Sequence, residues 1–175
     1  MDKPVQPTVS TQASLQAPVV SSGRVGAALA RAIDIASEHH CSMSLIAVGI
    51  DNKAVHTARH DVSDDVLEQR VGGVLASMLR NIDLIGYVSG GFMIITAPSF
   101  HFEGEEIAMR LTRAINAIDI TDLPELTLSC GIAAYRPGDT ATSMHERAVA
   151  ALERSQARGE GLTEADDVDE SQFSP

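Results

Sequence analysis

A pair of glycines between two short apolar runs does most to limit the folds open to this chain. DLIGYV (83–88) and FMIITA (92–97) flank Ser89, Gly90 and Gly91. Each run is too short for a globular helix, and glycines accept the backbone angles of a tight reversal. The segment therefore reads as a β-hairpin, with strands over 84–88 and 92–97. A hairpin pairs its strands antiparallel, so a sheet that contains it is not wholly parallel.

Helical and extended patterns alternate on either side. Leu29, Ile33 and Ala36 fall at helical spacing within 25–38, which predicts an amphipathic helix. MSLIAVGI (43–50) is a short apolar run suited to a buried strand. Over 64–82, Leu67, Val71, Val74, Leu75 and Met78 make a helical stripe, with Ser63 placed as its N-cap. Ile107, Leu111, Ile115 and Ile118 align in a helix over 103–118. LTLSCGIAA (126–134) reads as a strand and 143–157 as a closing helix, with Gly159 beside its C-cap. The order α, β, α, β-hairpin, α, β, α predicts an α/β (α+β) sandwich, a mixed sheet flanked by helices.

Composition bounds what this domain can do. A chain of 175 residues suits one domain plus tails. Residues 1–22 are rich in Pro, Gln, Ser and Thr and read as a flexible arm, while 160–175 read as an acidic tail. The folded domain is then 23–159. Only 3% of the residues are aromatic, so the core must be built from aliphatic side chains and Met. A formal net charge of −11 argues against a nucleic-acid groove or a membrane-surface helix, both of which need concentrated Lys and Arg. An anionic small ligand stays open, since two or three placed arginines suffice for one. No apolar run has the length of a membrane span, and the N-terminus lacks the layout of a secretory signal. Two cysteines, Cys41 and Cys130, do not make a disulfide framework, so the expected compartment is the cytoplasm.

Four segments, in order and at near-matching spacings, resemble the GGDEF family of diguanylate cyclases. LIAVGID (45–51) resembles the family's first strand, which ends in a metal-binding Asp-x-Asp. DDVLEQRVGGVLASMLRNIDLI (64–85) resembles the helix that leads to the inhibitory site. LTLSCGIAAY (126–135) resembles its later "TVSIGVA" strand, and RAVAALERSQARGEG (147–161) its closing helix. The likeness covers residues 29–159 and implies the nucleotidyl-cyclase-like, ferredoxin-related fold.

The resemblance also marks departures. The family's hairpin carries Gly-Gly-Asp-Glu-Phe; here the five residues are Ser89, Gly90, Gly91, Phe92 and Met93. Gly49 stands at the first-strand metal position, although Asp51 follows two residues on. Asp64 corresponds to a guanine-binding Asp, the guanine-recognising Asn has no counterpart, and Gln156 replaces a phosphate-holding Lys. Joining two GTP molecules needs divalent cations held by carboxylates. The resemblance thus implies an inactive domain with no catalytic residue, no metal and no cofactor.

Arg80 and Asp83, five residues before that pentapeptide, have the RxxD spacing of the family's inhibitory site, which binds cyclic di-GMP. A guanidinium offers forked donors to phosphate or to guanine N7 and O6, and a carboxylate accepts from guanine N1 and N2. The family adds an Arg from the helix after the hairpin; Arg110 is the first candidate and Arg113 the second. An isolated RxxD is equally a surface ion pair worth a few tenths of a kcal/mol; its distance from the hairpin favours the ligand. The implied function is a non-enzymatic cyclic di-GMP receptor that signals to a protein partner, with ligand-linked homodimerisation. A rival is a ligand-independent scaffold using the arm, the tail and an apolar hairpin tip, formed by whichever of Phe92 and Met93 points outward. A weaker rival is a GTP sensor without turnover.

Other candidates read more simply. His56 and His60 could present two imidazoles to zinc, but an exposed polar loop is the better reading. His39, His40 and Cys41 form a helix–strand connection, since adjacent helical residues point in different directions. Cys130 is a small buried side chain, and Ser89 a turn residue rather than a nucleophile.

Overall fold

Successive residues of a strand point to opposite faces of a sheet, so a strand that is apolar at every position must be covered on both sides. Ser44–Ile50 is such a strand from Leu45 onward. The computed structural model describes residues 19–88, 90–96, 104–117, 126–159, 161 and 163–166. Its elements are β1 (Val19–Val20), α1 (Ser22–His39), β2 (Ser44–Ile50), α2 (Lys53–His60), α3 (Asp64–Met78), β3 (Leu84–Val88), β4 (Gly91–Ile95), α4 (Gly104–Ala117), β5 (Leu128–Ala134), α5 (Ala141–Arg158) and β6 (Thr163–Ala165). The sheet order is β1-β3-β4-β2-β5-β6. The outermost pairs β1/β3 and β5/β6 are parallel and the inner ones antiparallel. This is the mixed α/β sandwich that the pattern predicts.

Alternation divides the core in two. Ile46, Val48, Phe92, Ile94, Leu128 and Cys130 pack with Leu67, Val71 and Leu75 of α3 and Leu111 of α4. Leu45, Ala47, Met93, Ile95 and Ala133 pack with Val25, Leu29 and Ile33 of α1 and Met144 and Ala148 of α5. Each fully buried aliphatic side chain contributes about 2 kcal/mol. Among the described residues no helix is long and apolar enough to cross a membrane.

Several boundaries differ from those read in the sequence. α3 stops at Met78 rather than 82, because Leu79 turns extended and is buried; its N-cap Ser63 accepts from the Val66 N–H as expected. α5 starts at Ala141, two residues early, because Thr140 and Ser143 form a reciprocal capping box. The predicted polar loop around His56 is instead the helix α2, with His56 buried. Asn52 and Asp61 bound it at φ 50, a left-handed geometry that Asn and Asp tolerate. β1 lies within the stretch read as arm, and β6 within the stretch read as acidic tail. The rest of the arm (1–18), the last tail residues (167–175), Ser89, Ala97, Glu103 and Ile118, and the side chains of His60 and Ile115, lie outside the described residues.

Candidate functional site

Positions 49 and 91, where the resemblance expects metal carboxylates in its active members, face each other across the β2/β4 pair. Gly91 has no room for one as the strands lie, and at Gly49 the end of the Gln156 side chain occupies the place. A Cβ on Gly49 would sit 2.6 Å from Gln156 Nε2, and one on Gly91 would sit 2.1 Å from the Val48 carbonyl oxygen. α5 thus lays Gln156 over Gly49, and β4 lies against the backbone of β2 at Gly91.

Asp51 keeps its carboxylate, but the structure employs it internally. It is 5% exposed. Its Oδ2 accepts from Thr127 Oγ1 at 3.0 Å, Ser129 Oγ at 3.1 Å and the Gly161 N–H at 2.8 Å. Three donors on one buried carboxylate are a structural tie, and they leave Asp51 unsuited to a hard cation. The residues present therefore do not fit a divalent metal, and among the described residues no three His, Cys, Asp or Glu side chains converge to hold one. Asp64 is bound by Lys53 at 2.9 Å, and the same ammonium reaches Glu68, linking α2 to α3. Desolvation pulls the Lys53 ammonium down, but Glu68 and Asp64 outweigh it and hold its pKa above the ordinary lysine value.

The hairpin strands pair as predicted, but neither Phe92 nor Met93 forms an exposed apolar tip. Phe92 and Met93 are both buried, because helices cover both faces of the sheet and alternation sends one residue to each. Phe92 stacks on Tyr87 with ring centroids 5.2 Å apart and planes tilted by 53°. Burial pushes the Tyr87 phenol up, with Glu68 adding to the shift. Cys130 lies in the same core, where burial, and next the charge of Asp51, push its thiol up to about 12. His40 takes the left-handed conformation after α1, which makes 39–41 a plain connection into β2.

Arg80 and Asp83 sit on the turn that follows α3, not on the helix itself. The Asp83 N–H donates to the Arg80 carbonyl at 3.0 Å. In return Asp83 Oδ2 accepts from the Arg80 N–H at 3.2 Å and from its Nε at 3.0 Å, while Oδ1 accepts from Nη2 at 2.9 Å. The Asp83 side chain is 0% exposed and that of Arg80 35%. The expectation that Asp83 accepts from a guanine therefore meets a carboxylate already given to Arg80.

Arg110 and Arg113 are exposed on α4. Arg110 Nη2 donates to the Met78 carbonyl at 3.1 Å, at the end of α3 and two residues before Arg80. That contact satisfies a helix-terminal carbonyl with a cation, as the helix dipole favours. Glu106, Met109, Arg110, Arg113 and Ala114 line a cavity of about 420 Å³. Sequence reasoning found the arginines but missed Glu106, and it missed the ties of Asp51 and Lys53. Polar Thr127 and Ser129, two apart in the apolar run 126–134, were the available signal for a buried acceptor; Gly161 carried none.

A family model described as "Diguanylate cyclase, GGDEF domain" matches residues 24–161. Several solved structures are similar in fold. The GGDEF domain of YfiN from Pseudomonas aeruginosa superposes with a TM-score of 0.77 at 21% identity, over 86% of this chain and 98% of that one. The GGDEF domain of DgcB from Caulobacter crescentus, solved in complex with c-di-GMP, gives 0.76 at 18% identity, over 94% and 100%. The active GGEEF domain of a diguanylate cyclase from Vibrio cholerae gives 0.74 at 17%, over 88% and 99%. No curated protein gives a match.

Proposed function

Since the chain belongs to the GGDEF family, we propose that it is a cyclic di-GMP receptor without cyclase activity, acting through Arg80, Asp83, Arg110 and Arg113. The observation that carries this reading is the bond from Arg110 to the end of α3. It brings a second guanidinium to the segment that bears Arg80, and Arg113 lines the same cavity as Arg110. Two guanidinium groups beside one cavity suit an anionic ligand such as a dinucleotide with two phosphates and two guanines. That a fold neighbour, DgcB, was solved with c-di-GMP makes this dinucleotide the first ligand to test. Bound ligand then signals to a protein partner or a second copy of the chain.

Absence of turnover is supported by the chemistry at positions 49 and 91. Two glycines offer no charge to divalent cations, and losing that stabilisation costs many orders of magnitude in rate. Incubation with GTP and Mg²⁺ or Mn²⁺ yields no cyclic di-GMP above background; product formation would overturn this half of the proposal. Calorimetry tests the other half. Wild type binds cyclic di-GMP, and Arg80→Ala weakens binding at least about tenfold, the scale of a lost charged hydrogen-bond pair. Equal affinity in the two proteins would remove Arg80 from the site.

A further inference from the structure

We propose that the edge of β5 and the flank of α5 form a docking site for an extended acidic segment of a partner protein, and that β6 fills this site in cis. The partner segment runs parallel to β5 and carries an apolar residue followed by two carboxylates two positions apart. The site does not depend on cyclic di-GMP.

β6 has three residues and lies at the edge of the sheet. Apolar burial does not hold it there, since Ala165, its one aliphatic residue, is exposed. Carboxylates do. Glu164 and the next residue but one, Asp166, project to the same face of the extended chain, and each meets two arginines. Asp166 is bound by Arg136 at 2.9 Å and by Arg147. Glu164 is bound by Arg158 and faces Arg154 at 3.6 Å. The Glu164 and Asp166 side chains are only 12% and 7% exposed, so these charge-assisted contacts lie largely out of water, where they are strong. The Asp166 N–H completes the seat by donating to the Ile132 carbonyl at 2.8 Å. With β6 lifted away, Arg136, Arg147, Arg154 and Arg158 would form a basic strip beside an open strand edge. That is the geometry of strand addition, in which backbone pairing supplies affinity and alternate side chains supply specificity.

β6 is an imperfect occupant. Thr163 Oγ1 is buried with no hydrogen-bond partner among the described residues, a cost that an apolar side chain of the same shape avoids. The strand competes through its tether, which passes through Gly159 and Gly161 at φ 148 and 70, and a short tether gives a high local concentration. A better-fitting acidic segment can therefore displace it.

Fluorescence anisotropy with the full chain and a labelled peptide of residues 160–167 tests the proposal. The variant Glu164→Gln/Asp166→Asn, whose own β6 has lost both charges, binds the peptide, and wild type binds it at least about tenfold more weakly. The same peptide carrying those two substitutions loses at least about tenfold in affinity, and a peptide with Thr163→Val gains about fivefold. Arg147→Gln added to the variant removes binding. Equal affinity for the acidic and neutral peptides, equal binding by variant and wild type, no gain from the valine, or no binding at all overturns the proposal. Capture of a second copy of the chain in preference to the peptide, seen as a dimer by light scattering, overturns it too, because the site would then serve self-association. Should the variant not fold, excess peptide added to wild type decides: a displaced β6 shows faster exchange of the Asp166 N–H, and an unchanged rate overturns the proposal.

Discussion

Adding one methyl group at Gly91 should cost far more than adding it at Gly49, although the two residues face each other in the same strand pair. Both positions lie in strands and neither has a positive φ, so replacing glycine by alanine brings each a similar backbone-entropy gain of about 0.5–1 kcal/mol. The neighbours differ. At 49 the new Cβ meets the amide of Gln156 at 2.6 Å, the far end of a flexible side chain that can swing aside. At 91 it meets the Val48 carbonyl oxygen at 2.1 Å and its carbon at 3.2 Å, both fixed in the central strand. Relieving that contact needs β4 to move by about 1 Å, with strained packing on both faces, which sets a cost of about 3 kcal/mol. Gly49→Ala should lie within about 1 kcal/mol of wild type. In a chain of this size the difference amounts to a melting temperature lower by about 10 °C for Gly91→Ala. Thermal and urea unfolding of the two variants measure it directly. A Gly91→Ala protein as stable as Gly49→Ala would refute the reasoning, and with it the claim that this hairpin no longer has room for an acidic side chain.

Asp51→Ala removes the acceptor shared by Thr127, Ser129 and Gly161. Stranding these donors should cost about 2–4 kcal/mol in urea unfolding, with amide exchange fastest at Gly161; an unchanged midpoint would contradict the structural role. Cys130, whose thiol is pushed up to about 12 from 9.0, makes stability fall at high pH. The unfolded state gives up this proton first, so above pH 9 folding should weaken by about 1.4 kcal/mol per pH unit, with Tyr87 adding to the slope above pH 10. Cys130→Ala should flatten the slope between pH 9 and 10, and a slope unaffected by that change would rule the thiol out as its source.

Periodicity made most of the fold legible because the sheet is apolar on both faces and the helices are long. Short elements escaped. α2 has eight residues and no apolar stripe, and its limits depend on two left-handed residues, Asn52 and Asp61, that no spacing rule announces. β1 and β6, of two and three residues, exist only because a neighbouring strand offers them an edge. At the candidate site the residue types carried the chemistry, while their accessibility did not follow from spacing. RxxD spacing is compatible with an open ligand pair and with a closed turn, and backbone geometry beyond Leu79 decides for the closed form. Phe92 and Met93 illustrate the same limit: alternation states that they oppose each other, but only the helices on both sides determine that neither reaches solvent.

The tie at Asp51 also bears on how the polypeptide acquires its shape during synthesis. Its hydrogen-bond donors lie 76, 78 and 110 residues further along the chain. At a ribosomal pace of about 5–20 residues per second, that carboxylate waits several seconds for its last partner. Until then it must stay hydrated, holding that end of the central strand open to water. Completion of the sheet is thus deferred until nearly the whole domain has emerged, and a stalled nascent chain would present a wet, unfinished edge to the chaperones of the cell.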